Sequence, residues 1–464
     1  MPTLKLPDGP QTRPLLQTFQ WLTKPIDFME MCAQRYGDIF TVRIGPVFTP
    51  QVFISNPQAI QEIFAADPKQ LDSGEEAGIK SPLLGQQSML ALAGERHRRQ
   101  RRLLTPPFHG ERMLAYGHLL REITLAVTSR WTIGEPFSVH SSMQVISFEV
   151  ILKAVFGLED GSRYEKLKEL LIALLNPKMP LLQGMMFVFP SLQRDLGPWS
   201  PWGIFMRQLQ QMDELSYAEI QSRRSQPDPS RTDILSLMMS ARDEAGEPMT
   251  DVELRDELIT LLLAGHETVG ISLAWALYWI HHLPAVREKL LQELDALGDN
   301  PDPNAIFRLP YLNAVCQETL RIYPVGMLVL NRLVKSPLQI MGYQFEPGTL
   351  LVPCIYLTHH REDLYPEPKQ FKPERFLERQ FAPHEYLAFG GGNRRCIGMA
   401  FAQFEMKMVL PTVLSHWQLA LADSKPVQPV RRGGLLAPAD GVPMVVTGMR
   451  PQNQRIPETS SSAA

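Results

Sequence analysis

The sequence predicts a mainly α-helical protein of the α+β class, with a single large helical domain and a smaller β-rich part. Between about residues 57 and 320 the apolar residues recur mostly with the helical period, interrupted at glycine and proline clusters. Short segments rich in Val, Ile and Phe lie before and after this stretch. The β-rich part is therefore expected to combine both ends of the chain.

Four short segments predict the strands. Asp38–Gly45 and Pro50–Ser55 flank a Gly-Pro turn and indicate a β-hairpin. Strand-forming residues return at Leu338–Ile340 and Leu350–Ile355, where the turn residues of GYQFEPG separate the two segments. Helices are expected to fill most of the chain between these regions.

The domain organisation is predicted to be simple. Neither a repeat nor a long linker divides the 464 residues, so residues 15–450 are expected to form one domain. Residues 1–14 are predicted to be an extended lead-in, and residues 451–464 a disordered tail. Hydrophobic residues at 44% and charged residues at 20% exclude wholesale disorder, and a net charge of −3 argues against a nucleic-acid binder.

Cysteine usage and apolar runs indicate a protein with reduced thiols and no transmembrane anchor. The start of the chain shows no apolar run typical of a signal peptide. The longest apolar stretch, Leu258–Leu283, contains an acid and three histidines, which disfavours a bilayer span. We therefore expect a cytoplasmic, monomeric protein without a nucleic-acid partner. The cysteines are too scattered for a disulfide framework or a CxxC zinc site: Cys32, Cys316, Cys354 and Cys396.

One cysteine lies in an unusual context, FGGGNRRCIGMAFAQFEMK. Three glycines, Gly390–Gly392, allow the backbone to approach a flat or anionic group closely. An apolar helical pattern begins after Cys396, so a thiolate there would be stabilised by the helix N-terminus and by Arg394. Such a thiolate suits axial ligation of haem iron. A buried, inert cysteine and a phosphate-binding loop are the alternatives, but no GK[ST] follows the glycines.

The spaced residues around this cysteine resemble the haem-binding loop of the cytochrome P450 family. The pattern F-x-x-G-x-R-x-C-x-G occurs as Phe389, Gly392, Arg394, Cys396 and Gly398. The resemblance implies haem b, with Cys396 as the iron ligand and with Phe389, Arg394 and Gly398 against the cofactor. It covers almost the whole chain, and the amino-acid sequence at residues 94–113 looks nearest to that of bacterial, especially cyanobacterial, members.

A second motif lies in PYLNAVCQETLRIYP, which predicts a helix beginning at Pro310. Glu318 and Arg321 lie three residues apart and therefore share a helix face. Taken alone, they indicate a surface ion pair. The resemblance implies instead a buried structural cluster completed by Arg375 of KPERF.

A third motif lies at the centre of the long helix predicted for the Leu258–Leu283 region. Two small residues, Ala264 and Gly265, precede Glu267 and Thr268 on an otherwise apolar helix. Taken alone, this could be a helix with a polar face. The resemblance implies that Ala264 lies at the distal haem face, and that Thr268 and Glu267 supply protons through water. His266, at the variable position of the motif, is predicted to be a packed or hydrogen-bonded helix residue.

The basic segment GERHRRQRRLLTPPF carries a further signature. His97 and Arg101 lie four residues apart and point the same way on a predicted helix. The resemblance implies that they hold the haem propionates together with Arg332 and Arg394. Taken alone, a basic run is more often a solvated helix face. That interpretation is kept for two arginines that point elsewhere and could dock an acidic electron donor, Arg98 and Arg102.

The resemblance implies a monooxygenase that inserts one oxygen atom of O2 into a C–H or C=C bond, while the other atom leaves as water. The sequence holds no flavin, dinucleotide or ferredoxin-type fingerprint. Separate redox partners are therefore expected, most simply a ferredoxin with its reductase, or a flavodoxin.

The apolar segments suggest a lipophilic substrate, with a long-chain fatty acid first and a terpenoid second. The segments concerned are Leu174–Phe189, Trp199, Trp202, Val325–Leu330 and Leu435–Leu436. Core packing between helices is the plainer interpretation of the Met-rich stretch Leu174–Phe189.

The alternatives for the activity are a haem-thiolate isomerase, dehydratase or peroxygenase that needs no reductant, a gas sensor, and a haem-free binding protein. The presence of Thr268 argues against the first group.

Overall fold

The computed structural model describes residues 6–45, 48–74, 83–108, 112–158, 161–175, 186, 192–298 and 301–451. Within these residues it confirms a mainly helical protein with small β sheets. Residues 6–13 belong to no helix or strand, and the N–H of Thr41 donates to the carbonyl of Asp8 at 3.1 Å. The tail from residue 452 onward lies outside the described residues.

The helices often begin with proline, which explains part of the high proline content. Because proline lacks an N–H and fixes φ, it suits the first turn of a helix, and it occupies that turn in seven of the described helices. The helices are α1 (Pro14–Thr23), α2 (Pro25–Tyr36), α3 (Pro57–Ala65), α4 (Gly94–Leu104), α5 (Arg112–Thr128), α6 (Val139–Val150), α7 (Ser162–Leu175), α8 (Pro201–Ser225), α9 (Ile234–Ser240), α10 (Asp251–His282), α11 (Pro284–Asp295), α12 (Pro303–Phe307), α13 (Pro310–Ile322), α14 (Ile355–His359), α15 (Arg375–Glu378) and α16 (Met399–His416).

The strands combine both ends of the chain, as predicted. The largest sheet has the order β1-β2-β8-β5-β3, in which β1 and β2 form the predicted hairpin and β2 runs parallel to β8. Smaller sheets contain β4-β12-β9, β10-β11 and β6-β7. The strands are β1 (Ile39–Arg43), β2 (Pro50–Ile54), β3 (Leu71–Asp72), β4 (Pro136–Ser138), β5 (Arg332–Val334), β6 (Leu338–Ile340), β7 (Tyr343–Phe345), β8 (Leu350–Pro353), β9 (Trp417–Leu421), β10 (Pro429–Arg432), β11 (Leu435–Pro438) and β12 (Pro443–Met449).

Two strand predictions need correction. Part of the segment predicted as a turn, GYQFEPG, is itself strand β7, because Met341 and Gly342 alone make the turn, with φ of 48° and 80°. Strand β8 ends at Pro353 rather than at Ile355. The chain enters α14 there, and the hydroxyl of Thr358 donates to the carbonyl of Cys354 within that turn.

The long helix α10 forms the centre of the fold. It begins with a capping box, in which the Thr250 hydroxyl accepts the Glu253 N–H and the Glu253 carboxylate accepts the Thr250 N–H. Trp275, near its C-terminal end, is completely buried. By length and composition α10 is apolar enough to cross a membrane, but 67% of its most apolar window is buried inside the protein. It is a core helix, and it carries the third sequence motif through the middle of the molecule.

Buried ionisable groups predict a stability maximum near pH 6.5. Burial lowers the pKa of His140 and His281 to about 4 and that of His360 to about 3. Burial also raises the pKa of Glu257 and Glu405 to about 8. Below about pH 6.5 the unfolded chain binds protons that the folded histidines do not, so the free energy of unfolding falls with falling pH. The two carboxyl groups act in the opposite direction from about pH 4.5 to about pH 8, where the folded protein keeps protons that the unfolded chain has lost. Above about pH 6.5 the histidines no longer contribute, so the free energy of unfolding falls as the pH rises.

The measurement is the midpoint of urea unfolding between about pH 5 and about pH 8.5, where we expect a maximum. Each full proton of difference changes the free energy of unfolding by about 1.4 kcal/mol per pH unit. Glu405→Gln should flatten the alkaline side and steepen the acid side, because the Glu405 carboxyl group opposes the histidines between about pH 4.5 and about pH 6.5. A midpoint that stays constant on the alkaline side in the unsubstituted protein would contradict neutral burial of the two carboxyl groups.

Candidate active site

Cys396 lies in a loop that is closed by backbone hydrogen bonds of its own. Its own N–H donates to the Phe389 carbonyl at 2.9 Å, which closes the loop, and Phe389 packs against the main core. Gly390 and Gly392 have φ of 67° and 62°, in the left-handed region that favours glycine. The helix begins at Met399 with Gly398 as its N-cap, a little later than the sequence indicated. The side chain of Cys396 is exposed and available to a ligand.

The electrostatic surroundings of the sulfur pull its pKa in two directions. The surrounding protein partly removes the Cys396 sulfur from water, and this desolvation raises the pKa of the thiol above its usual value. The N–H of Gly398 and the guanidinium groups of Arg101 and Arg395 act in the opposite direction, because they stabilise the thiolate. Bond formation to a metal would complete the deprotonation.

The glycine run of this loop has a packing role that the sequence did not reveal. A Cβ placed on Gly391 would lie 2.1 Å from the ring of Phe64, at the C-terminal end of α3. The aromatic ring therefore occupies the space that a side chain would need. The close approach expected of these glycines is made, in part, to a ring of the protein itself.

Four cationic or basic side chains gather beside this loop. His97 and Arg101 come from α4, Arg332 begins β5, and Arg394 precedes the cysteine. Arg101 donates to the Arg395 carbonyl at 2.7 Å, and Arg394 donates to the Met89 carbonyl at 2.9 Å. Arg332 donates to the Leu330 carbonyl at 2.6 Å.

The positive charge of this group is not neutralised within the described part of the chain. None of the three arginines forms an ion pair with a described carboxylate, although Asp72 lies near enough to raise the pKa of Arg394. Burial and mutual repulsion lower the pKa of Arg332 and Arg394 to about 10, and that of His97 to about 3. A ligand with two carboxylates would relieve this repulsion, because bidentate guanidinium groups suit that geometry.

The third motif presents a small residue and a hydroxyl at the middle of α10. Ala264 is exposed within a helix that is otherwise mostly buried. Thr268 is half-buried, and its hydroxyl donates to the Ala264 carbonyl at 2.7 Å. Burial raises the pKa of Glu267, and the charge of Arg432 opposes that change. His266 is buried with Nδ1 against the Leu262 carbonyl at 3.1 Å and its ring against Phe148, as predicted for a packed helix residue.

The apolar segments 325–330 and 435–436 lie side by side, and together they are called the apolar wall below. Gly326 and Leu435 form a β-bridge, and the N–H of Leu436 donates to the Val325 carbonyl at 2.8 Å. The Leu436 carbonyl in turn accepts the indole N–H of Trp275 on α10 at 3.4 Å. The wall is thereby attached to the helix that carries Thr268.

Only part of the predicted Met-rich region can be placed. Leu174 and Met186 are buried, whereas residues 176–185 and 187–189 lie outside the described residues. Trp199 is 73% exposed, and Trp202 packs against Phe205 with ring centroids 5.2 Å apart. Contact of this region with a substrate stays a prediction.

The second motif forms a fully buried ionic cluster. Arg321 donates to both carboxylate oxygens of Glu318, at 2.6 and 2.8 Å, and neither side chain is accessible to solvent. Arg375 donates to the same carboxylate at 3.1 Å. Arg321 also donates to the His359 and Pro368 carbonyls, so its charge is compensated on every side. The pair is therefore not the surface ion pair that the spacing alone would indicate.

These features fit one prosthetic group. A cysteine sulfur at a helix N-terminus, an uncompensated cation cluster and an exposed alanine on a core helix suit haem b, a flat group with two carboxylates. Cys396 would hold the iron, and His97, Arg101, Arg332 and Arg394 would hold the carboxylates. The fold and the site therefore define a haem-thiolate protein.

Comparison with known proteins identifies the family. The family model described as Cytochrome P450 matches residues 7–444. A protein of Mycobacterium bovis provisionally named cytochrome P450 135B1 is 35% identical over 97% of this chain and 93% of its own length. Another, provisionally named cytochrome P450 135A1 in Mycobacterium tuberculosis, is 33% identical over 95% of this chain and 94% of its own. The chain belongs to the cytochrome P450 family and is a monooxygenase with haem b as its cofactor.

Solved structures support the same fold. Retinoic acid-bound cyanobacterial CYP120A1 is similar with a TM-score of 0.81 and 26% identity, over 96% of this chain and 99% of that one. The cytochrome P450DA heme domain is similar in fold, with a TM-score of 0.80 and 21% identity over 97% and 99% of the two chains. A closer relation to cyanobacterial members stays a prediction, since the curated relatives above are mycobacterial.

Sequence reasoning missed several residues around the site. Phe64 gave no signal, because its contact with Gly391 joins distant parts of the chain. The carbonyl of Met89, which holds Arg394, also gave none. Glu257 could have been found, since an acid on the buried face of an apolar helix is unusual.

Loss of the Glu318 carboxylate should prevent assembly of the site. Glu318→Ala leaves two buried arginines without their anion, which costs about 3–5 kcal/mol. We expect little soluble protein and a low haem-to-protein ratio after purification. Glu374→Ala is the matched control, because its partner Lys289 lies on the surface at 2.7 Å and such pairs contribute about 1 kcal/mol or less. Normal haem content in Glu318→Ala would contradict a structural role for the cluster.

Proposed function

We propose that this monooxygenase acts on long-chain lipophilic substrates, with fatty acids as the first class and terpenoids as the second, and receives electrons from a separate protein. The observation that carries the substrate class is the apolar wall of Val325–Leu330 and Leu435–Leu436, attached to the helix of Thr268. Neither segment contains a charged side chain. Apolar walls of this kind favour lipophilic guests.

A structural relative is consistent with this substrate class. CYP120A1 was solved with retinoic acid bound. Retinoic acid combines an isoprenoid chain with a carboxylate, so it shares features with both proposed classes. In this chain the wall residues Met327 and Val329 are buried, and Leu435 is partly exposed.

Haem b, when bound, supplies the activation of dioxygen and the insertion of one oxygen atom. The chain supplies the protons and the exclusion of water. The hydroxyl hydrogen of Thr268 is directed to the Ala264 carbonyl, which leaves the hydroxyl oxygen free to accept a hydrogen bond from water. Glu267 has a raised pKa, so it holds a proton nearer to neutral pH than an exposed carboxyl group does. We assign proton delivery to these two side chains.

A basic cleft of about 270 Å³ supports an acidic electron donor, such as a ferredoxin with its reductase or a flavodoxin. His97, Arg98, Arg101, Arg102 and Asn393 contribute to its lining, and Asn393 belongs to the loop that carries the cysteine. Two of these arginines are already paired, Arg98 with Glu95 and Arg102 with Glu244. Both pairs lie at the surface, where an ion pair contributes about 1 kcal/mol or less, so an acidic donor can compete for Arg98 and Arg102. Cytoplasmic location and a monomeric state stay predictions.

Turnover with a defined donor tests the proposal. We expect fatty acids to shift the haem absorption to that of the substrate-bound state, and products to form only with NADPH, ferredoxin reductase and ferredoxin. A terpenoid panel is the parallel arm. Full conversion of fatty acid hydroperoxides without reductant would favour the isomerase or peroxygenase alternative instead. The absence of any shift with both panels would contradict the lipophilic substrate class.

Removal of the Thr268 hydroxyl should separate electron consumption from product formation. Thr268→Ala should keep haem binding but lower the product formed per NADPH by at least about tenfold, with peroxide released instead, because the proton path lacks its hydroxyl. Thr268→Ser keeps the hydroxyl and is the matched control. NADPH, peroxide and product are measured together. Unchanged coupling in Thr268→Ala would contradict the proton-delivery role.

A further inference from the structure

The segment Leu83–Leu92 is attached to α10 by three hydrogen bonds in succession. Asp256 accepts the Gln87 N–H at 2.8 Å, and Glu257 accepts the Met89 N–H at 2.6 Å. Between them, the hydroxyl groups of Ser88 and Thr260 lie 2.7 Å apart. One face of the core helix therefore holds the backbone of this segment in place.

The same segment holds Arg394 from its other side. The Met89 carbonyl accepts one guanidinium nitrogen of Arg394 at 2.9 Å, and the Leu92 carbonyl accepts the other. Met89 is thus bonded through its N–H to the buried acid Glu257 and through its carbonyl to an arginine of the cation cluster. Met89 alone separates α10 from the arginine assigned above to a haem carboxylate.

Glu257 is an unusual residue for a core helix. Its side chain is completely buried, and one carboxyl oxygen, Oε2, has no hydrogen-bond partner among the described residues. Burial raises the pKa of Glu257 to about 8, while the Met89 N–H and the nearby Gln100 amide oppose that change. Such a group costs free energy to bury, so a role in the site accounts for its presence better than packing does.

We propose that Glu257 is a positioning residue for the haem: by fixing the Met89 peptide, it orients the Arg394 guanidinium toward a haem carboxylate. Haem retention then depends on the hydrogen bond that Glu257 accepts and not on its charge. This inference rests on the assignment of Arg394 to the haem made above.

The rate of haem transfer from the full-length holoprotein to excess apomyoglobin measures retention. Arg394→Ala should accelerate this transfer. Glu257→Ala should accelerate it roughly tenfold, the effect of leaving a buried donor without its acceptor. Glu257→Gln keeps an acceptor oxygen and should restore the rate of the unsubstituted protein. In the double variant Glu257→Ala, Arg394→Ala, the rate should equal that of Arg394→Ala alone, because both changes break one chain of contacts.

Thr260→Val is the matched control. It removes the neighbouring bond to Ser88, in the same segment and on the same helix, and Thr260 forms no described hydrogen bond with Met89. It should lower thermal stability and leave the transfer rate unchanged. Equal acceleration by Thr260→Val, additive effects in the double variant, or failure of Glu257→Gln to restore retention would each overturn the proposal.

Two outcomes separate this inference from the assignments beneath it. If Arg394→Ala leaves haem transfer unchanged, the assignment of Arg394 to the haem fails. If Arg394→Ala accelerates transfer and Glu257→Ala does not, only the role of Glu257 fails. Should Glu257→Ala not fold, hydrogen exchange of the Met89 amide in the unsubstituted holoprotein decides, since slow exchange is expected and exchange within seconds overturns the inference.

Discussion

The site depends on repulsion among like charges that the described part of the chain leaves uncompensated. Arg101, Arg332 and Arg394 gather around His97, and burial, together with the charges of these arginines, lowers the pKa of that histidine to about 3. The other buried arginines that the structure describes form ion pairs with carboxylates, as Arg321 does with Glu318. The contrast supports the proposal that the cluster is half of an interaction, in which a dianionic cofactor would supply the missing charge and lower the free energy of the folded state.

The two ionic clusters therefore differ in where their charge is compensated. The Glu318 cluster is complete in itself and joins α13 to the segment before α15, which fixes the chain that leads toward the cysteine loop. The cation cluster is completed only by a ligand. If both clusters were compensated internally, the electrostatic attraction for haem would be lost. If neither were compensated, the fold itself would be destabilised.

Local patterns predicted more than distant contacts did. The helix of Glu318, the hairpin Ile39–Ile54 and the long core helix follow from spacing within short windows, which the sequence displays directly. The strand Tyr343–Phe345 was missed because a turn of only two residues leaves its neighbours free to pair. The contact of Phe64 with Gly391 and the bond from Glu257 to Met89 join segments far apart in the chain, and periodicity carries no information on such pairs.

The parallel pairing of β2 with β8 constrains how the protein reaches this structure. Val52 pairs with Leu351, so this interior pairing of the sheet cannot form until the ribosome has added about 300 residues beyond β2. At about 5–20 residues per second, the N-terminal strands spend about 15–60 s without their partner. Haem capture is expected to be late for the same reason, since the arginines proposed to hold it lie at positions 101, 332 and 394. Chaperone supply and haem supply late in synthesis are therefore expected to limit the yield of the active enzyme.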